Sequence, residues 1–432
     1  MDKNEVVKIT VEKLMNYEEM KALMENPANS RSALGEVIPW DHRSLCAGLP
    51  GISLVFSQLL DEAEDNRMEN VAKDFISKAV EQCNRDGYPD LSLHNGMAGL
   101  GLAITSLAEK TGGYENALKT INGAIAGNSK GLIARVNAKA IIGYDIISGL
   151  AGITSYLLLH LDDNVVYLTA EEFVDALINF TIGDSKTGGW LVPPQYLFSD
   201  DERTRFPHGA YNSGYAHGIA GVLGVLAKAY KKGIKRPGQT EAIKLIMDYY
   251  EKFKILEDDR FIWKGQLSSE EYDTVMAGKA NPGEGDFFRR DAWCYGAPGI
   301  CYGLLLATDV VPDADIRRMA MDNMKKAIQK RDANFSPSFC HGYSGLLQIA
   351  KASQNVVGQN FLQEECDVLE RLILDTFDKS LPFGFCDHEY SVELKEFRDY
   401  HEPGLLNGST GIVLALQDDG SGRGVYQSAF GL

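Results

Sequence analysis

Gly218-Ile219-Ala220-Gly221-Val222 and Gly342-Tyr343-Ser344-Gly345-Leu346 follow one rule: glycine, two residues, glycine, an aliphatic residue. The same rule generates Gly48-Leu49-Pro50-Gly51-Ile52, Gly96-Met97-Ala98-Gly99-Leu100, Gly149-Leu150-Ala151-Gly152-Ile153, Gly296-Ala297-Pro298-Gly299-Ile300 and Gly408-Ser409-Thr410-Gly411-Ile412. One copy would be noise. Seven copies, each opening an apolar run such as Leu150 to Leu159 or Ile219 to Ala229, define an internal repeat. A run apolar on most faces predicts a buried helix.

Between the copies lie longer segments with three–four spacing. Glu241 to Leu256 places Ile243, Ile246, Met247, Tyr250 and Phe253 on one face, and Asp313 to Ile328 does the same with Ile316, Met319, Ala320, Met324, Ala327 and Ile328. Comparable amphipathic helices are expected over Asn4 to Met24, Asn66 to Asn84, Tyr114 to Ile125, Glu171 to Ile182 and Asn360 to Phe377. Seven amphipathic helices thus alternate with seven buried ones. Such pairs either stack into an open solenoid or close into a ring. The buried helices are too apolar to line an open concave face, so closure is expected, with all 432 residues in one α/α toroid. The long intervals hold two insertions, 184–213 and 257–290, which are expected to form a small subdomain. Leu381 to Asn407 reads as a third long loop, and the tail Asp418 to Leu432 as loose.

The charge balance narrows the functions. Forty-three Lys and Arg against 60 Asp and Glu give a net charge of −17, opposite to what displacing phosphate counterions demands. A nucleic-acid binder is disfavoured. No apolar run reaches membrane-spanning length, and Met1 to Lys13 lacks a signal-peptide core. A cytoplasmic protein is expected. Seven cysteines without secreted-domain spacing read as buried thiols or metal ligands. Cys46, Cys83, Cys301, Cys366 and Cys386 read as small buried or surface residues.

In equivalent repeats, residues just before each first glycine converge. Cys294 lies two before Gly296, Cys340 two before Gly342, His341 one before Gly342 and His217 one before Gly218. Asp145 precedes Gly149 by four, and Arg290 precedes Cys294 by four. Two cysteines and a histidine make three ligands for a tetrahedral zinc with one open position, which marks a catalytic centre. Two buried thiols and a core histidine are the alternative. For His217 and Asp145 the alternative is a capping or core hydrogen bond. Arg290 could pair with Asp291 or line the surface. His94, before Gly96, has a similar place and no evident role.

Three stretches carry a family resemblance: Gly214-Tyr215-Ala216-His217-Gly218, Arg290-Asp291-Ala292-Trp293-Cys294-Tyr295-Gly296 and Phe339-Cys340-His341-Gly342-Tyr343-Ser344-Gly345. With the seven glycine repeats, they resemble the lanthionine synthetase C family, the lantibiotic cyclases. The free-standing type is the nearer match, because no dehydratase-sized region precedes the repeat. The resemblance implies an α/α toroid of two concentric seven-helix layers, with a Src-homology-2-like extension assigned to the two insertions. It puts one zinc per chain on Cys294, Cys340 and His341, and acid–base work on His217 and Asp145. Arg290 falls on the family's active-site arginine, and Tyr295 and Tyr215 on pattern positions. The implied reaction adds peptide cysteine thiolates to dehydroalanine or dehydrobutyrine in a dehydrated precursor peptide, forming lanthionine or methyllanthionine. The implied partners are that peptide, a dehydratase and an export transporter at the inner face of the membrane. Rival readings are a glutathione or small-thiol transferase acting on dehydrated residues and a peptide-binding scaffold without catalysis. A toroidal glycosidase would need a carboxylate pair, and no second acid matches Asp145.

Overall fold

Each glycine pair opens a helix: Leu49–Gln58, Met97–Thr111, Leu150–Leu157, Ile219–Lys231, Ala297–Thr308, Tyr343–Val357 and Ser409–Gln417. The computed structural model describes residues 1–29, 40–62, 66–183, 189–283, 285, 287–391 and 395–432. Burial is what the apolar sequence demands: all twelve residues of Ala297–Thr308 are buried. The glycines answer to close backbone approach. A Cβ on Gly51 would lie 2.0 Å from the Leu45 carbonyl oxygen, so the loop before the helix lies flat on its first turn. Gly296 adopts φ 100°, and a Cβ there would lie 1.7 Å from the Arg290 carbonyl oxygen.

The amphipathic partners follow. Gln239–Phe253 buries Ile243, Ile246, Met247, Tyr250 and Phe253, the five residues expected to share its apolar face. Ala314–Lys330, Arg67–Asp86, Asn164–Ile182 and Gln363–Asp375 also form. One expected helix is two. Asn4 to Met24 divides into Lys3–Leu14 and Tyr17–Met24, because the Asn16 side chain accepts from the Glu19 N–H and caps a new helix. Tyr114 to Ile125 forms as the single helix Glu115–Gly127, and a further helix, Ser129–Asn137, follows it.

The chain forms two compact units. The first contains Met1–Lys119, Asn334–Lys351 and Leu362–Gln427. Here the first and seventh repeats are neighbours: Ser409–Gln417 packs on Leu49–Gln58, and Lys3–Leu14 packs on both. An open stack would hold its first and last repeats apart. A main-chain ladder fixes the register, and in five repeats it uses the carbonyl two residues before the first glycine. The His94 oxygen accepts from Leu45 N (2.8 Å) and Cys46 N (3.1 Å). The Cys46 oxygen accepts from Leu405 and Leu406, and the Leu406 oxygen from Phe339 and Cys340.

The second unit contains Thr120–Ala333, Ala352–Phe361 and Ser428–Leu432. The same ladder runs through it. The Cys294 oxygen accepts from Tyr215 N (2.8 Å) and Ala216 N (3.2 Å), and the Ala216 oxygen from Ile146 N (3.0 Å). The repeat positions read from sequence are therefore structurally equivalent within each unit.

The described strands are β1 (Ala210–Asn212), β2 (Ile255–Glu257), β3 (Arg260–Ile262), β4 (Gln266–Ser268), β5 (Asp387–Ser391) and β6 (Glu396–Tyr400). They form three antiparallel pairs, β1–β4, β2–β3 and β5–β6. Since β1 lies in the first expected insertion and β4 in the second, the two insertions meet. Residues 184–188, 284 and 286 of those insertions lie outside the described residues. The loop Leu381 to Asn407 contains the β5–β6 hairpin.

The tail is not loose. In the first unit the Asp418 carboxylate accepts from Gln348 (3.1 Å), Gln427 (2.7 Å) and Tyr426. In the second unit Tyr215 and Lys228 donate to the Gly431 carbonyl and Trp293 donates to that of Phe430. Ala429 and Phe430 are fully buried. Tyr215, Lys228, Trp293 and Gln348, all far away in sequence, donate to this segment, so its own composition gave little sign of order. Among the described residues, no helix is long and apolar enough to cross a membrane.

Candidate functional site

Within the second unit, His217 and Asp145 come together. His217 Nδ1 lies 2.5 Å from Asp145 Oδ2. Asp145 is fully buried, and its other oxygen accepts the N–H groups of Ser148 and Gly149, both at 2.7 Å. Those amides begin the helix Leu150–Leu157, so Asp145 holds a helix start and a histidine at once. The helix cap and the carboxylate–imidazole contact coexist here. The His217 backbone is also tied down, its carbonyl accepting from Tyr144 Oη at 3.1 Å.

His217 keeps part of its side chain in solvent (26 %). Burial pulls its pKa down, but the hydrogen bond and charge of Asp145, joined by Cys294 and Glu202, outweigh that and leave it raised. With Nδ1 on the carboxylate, Nε2 is the nitrogen presented to other chemistry. The Phe198 ring stands against the imidazole at 4.9 Å, edge to face. Phe198 and Glu202 both come from the first insertion, and the sequence reading missed them.

Cys294 sits in the loop Arg290–Gly296, and buried groups set that loop. Asp291 accepts from Arg260 Nη1 (2.6 Å) and from the Asp332 N–H (3.0 Å), and Arg260 also pairs with the Asp332 carboxylate. Arg260 and Asp291 are each 2 % exposed. Removing one partner would strand the other's charge, a loss of about 3–5 kcal/mol. Asp291 thus braces the loop, with Arg260 as its partner. Trp293, fully buried, anchors the residue before Cys294. The Arg290 guanidinium lies over the Phe288 ring at 5.2 Å. Tyr295 Oη accepts from Asn212 Nδ2 at 2.8 Å, and burial holds its phenol well above the ordinary tyrosine range. Its ring lies where a Cβ on Gly214 would be, 2.6 Å away. Tyr215 is fully buried on the tail, a structural anchor.

Within the first unit, Cys340 and His341 follow Phe339, whose N–H donates to the Leu406 carbonyl. His341 Nε2 lies 2.8 Å from Glu389 Oε2 and 3.3 Å from Asp387 Oδ1. Asp387 is fixed in turn by Ser336 Oγ at 2.5 Å. Asp387 and Glu389 alternate along β5, so both carboxylates point to one side of the hairpin. Neither was expected from sequence. The period-two pattern Asp387-His388-Glu389 was the available signal.

Cys294 falls in the second unit, Cys340 and His341 in the first. Among the described residues, no three Cys, His, Asp or Glu side chains stand grouped as a metal site. The donor chemistry nevertheless suits zinc. Two thiols and an imidazole are borderline-soft donors of the type zinc takes. His341 also has the carboxylate partner that a metal-ligating histidine characteristically has on its other nitrogen. Removal from water pushes the thiols of Cys46, Cys83 and Cys386 up to about 11, and those of Cys301 and Cys366 up to about 12. None of the described cysteines is in a disulfide.

The model of the Lanthionine synthetase C-like protein family matches residues 39–419. The chain belongs to the lanthionine synthetase C-like family. It is 30 % identical over 423 residues to the nisin biosynthesis protein NisC of Lactococcus lactis subsp. lactis, covering 91 % of this chain and 93 % of that relative. The solved structure of nisin cyclase superposes with a TM-score of 0.81 at 26 % identity, over 100 % of this chain and 98 % of the other. The fold class of this family member is accordingly the all-α one expected from the glycine repeats.

Proposed function

We propose that this chain is a lantibiotic cyclase that closes lanthionine and methyllanthionine rings in a dehydrated precursor peptide. The observation that carries the chemistry is the Asp145–His217 pair, held at 2.5 Å beside the Cys294 loop in a chain of this family. Ring closure moves one proton from a substrate thiol to an α-carbon and makes one C–S bond. The thiolate adds to the β-carbon of dehydroalanine or dehydrobutyrine, negative charge passes to the enolate oxygen, and a proton then reaches the α-carbon.

Cys294, Cys340 and His341 would hold one zinc. When bound, zinc supplies the Lewis acidity that lowers a thiol pKa from its ordinary value of about 8.5. Glu389 and Asp387 engage His341 Nε2, which gives Nδ1 the lone pair that a metal needs. Asp145 orients His217 through Nδ1, so Nε2 takes the thiol proton or delivers the α-proton. The raised pKa suits His217 to carry that proton near neutrality. Arg290 offers N–H donors to the developing enolate oxygen, with Tyr295 beside it lining the same cavity. By the same family reasoning, the protein would act after a dehydratase and before an export transporter.

The test is ring closure by purified protein on a dehydrated peptide, followed by loss of free thiol at constant mass. His217→Asn should slow it about 10²- to 10⁴-fold. Closure at the wild-type rate in that variant would overturn the acid–base role. Consumption of glutathione without any peptide ring would redirect the reading to small-thiol transfer.

A further inference from the structure

The second unit contains a cavity of about 640 Å³ that opens beside Arg290 and Tyr295. Its other walls come from the two insertions. Phe206 belongs to the first; Trp263, Phe287 and Phe288 belong to the second. The volume is in the usual range for a binding pocket, roughly 300–1,000 Å³.

The wall chemistry is specific. Four of the polar side chains that line the cavity are engaged with one another: Lys264 Nζ donates to Glu271 Oε1 at 2.8 Å, and Gln266 Nε2 donates to Glu202 Oε1 at 2.9 Å. Beside these pairs the insertions bring four aromatic rings to the walls, Phe206, Trp263, Phe287 and Phe288. Phe288 is 71 % exposed, the most exposed large apolar side chain among the described residues. An open phenyl ring at a pocket edge is where apolar contact with a ligand gains most.

We propose that this cavity is a side-chain subsite for the precursor peptide, taking a bulky neutral residue, aromatic or branched aliphatic, that flanks the dehydrated residue. This rests on the cyclase reading. The occupant follows from continuity: the cavity shares Arg290 and Tyr295 with the reaction, so a peptide positioned at those residues has its neighbouring side chain within reach. A charged neighbour would lose its hydration against the four aromatic rings, where Lys264, Glu271, Gln266 and Glu202 are already paired with one another. The subsite also gives the two insertions a task. The reacting atoms are the same in every ring, so selection between sites must use what lies beside them.

Model peptides test it, each with one cysteine and one dehydroalanine and with Phe, Leu, Ala, Asp or Lys flanking the dehydroalanine on either side. Binding to the full chain is read by fluorescence anisotropy of labelled peptide, and kcat/KM by ring closure. Phe and Leu should exceed Ala by about tenfold or more in both readouts, with Asp and Lys below Ala. Phe288→Ala and Phe206→Ala should each shrink the Phe-to-Ala ratio to within about threefold, while Phe288→Leu keeps most of it. Equal binding of all peptides by wild type would overturn the subsite, as would discrimination that survives both alanine variants. Peptides that bind in the expected order but never close would uphold the subsite and count against the cyclase reading instead.

Discussion

The position two residues before a repeat glycine holds cysteine three times, and the three environments differ. Cys46, before Gly48, donates its thiol to Asn95 Oδ1 at 3.3 Å, and removal from water pushes it up to about 11. Cys340, before Gly342, is followed by His341, whose ring faces Glu389 and Asp387. Cys294, before Gly296, ends a loop braced by Asp291 and Arg260 and carrying Arg290. The repeat supplies the slot and the ladder hydrogen bond. Chemistry is added by what the next position and the long loops bring. Histidine shows the same contrast: His94, in the Cys294 slot of the second repeat, is fully buried, whereas His217, in the His341 slot, keeps 26 % of its side chain in solvent.

Variants in equivalent slots can break that contrast. Cys294→Ala and Cys340→Ala should each abolish zinc binding and lower ring closure by on the order of 10³-fold or more. Next is the pair on the solvent-touched histidine. Asp145→Asn removes the hydrogen bond and charge that raise the His217 pKa, so the pH–rate limb belonging to that group should move to lower pH. Stability carries the same sign. A histidine whose folded pKa is raised above its unfolded value of about 6.5 contributes fully below that value, and the contribution fades as pH rises through the folded pKa. The melting difference between wild type and Asp145→Asn should therefore be smaller at pH 9 than at pH 6. A merely structural Asp145 would give a difference independent of pH across that window.

Glu389→Gln sharpens the contrast on the first unit's side. Zinc affinity, read by chelator competition, should fall about 10- to 100-fold, because the His341 ring loses its charged partner. Unchanged affinity would make that contact incidental. The smallest effect belongs to Cys46→Ala: full zinc content, ring closure near the wild-type rate, and about 1 kcal/mol or less of stability lost.

The glycine pairs made the buried helices legible because a Cβ at those sites collides with backbone, a constraint local in sequence. The slots before them were legible for the same reason. What escaped was contact made over distance. Nothing near Phe198 or Glu202 points to His217, and nothing near Leu381 shows that β5 turns Asp387 and Glu389 toward His341. The tail looked loose because its ordering groups, Tyr215, Lys228 and Trp293, lie more than a hundred residues away. Nothing near Asp291 shows that Arg260, from β3, donates to its carboxylate.

Zinc per chain in wild type, Cys340→Ala and Cys46→Ala, purified side by side and resupplied with zinc, tests the central claim most directly. About one zinc is expected in wild type and in Cys46→Ala, and about none in Cys340→Ala. Zinc-free wild type, or equal loss from both cysteine variants, would contradict it.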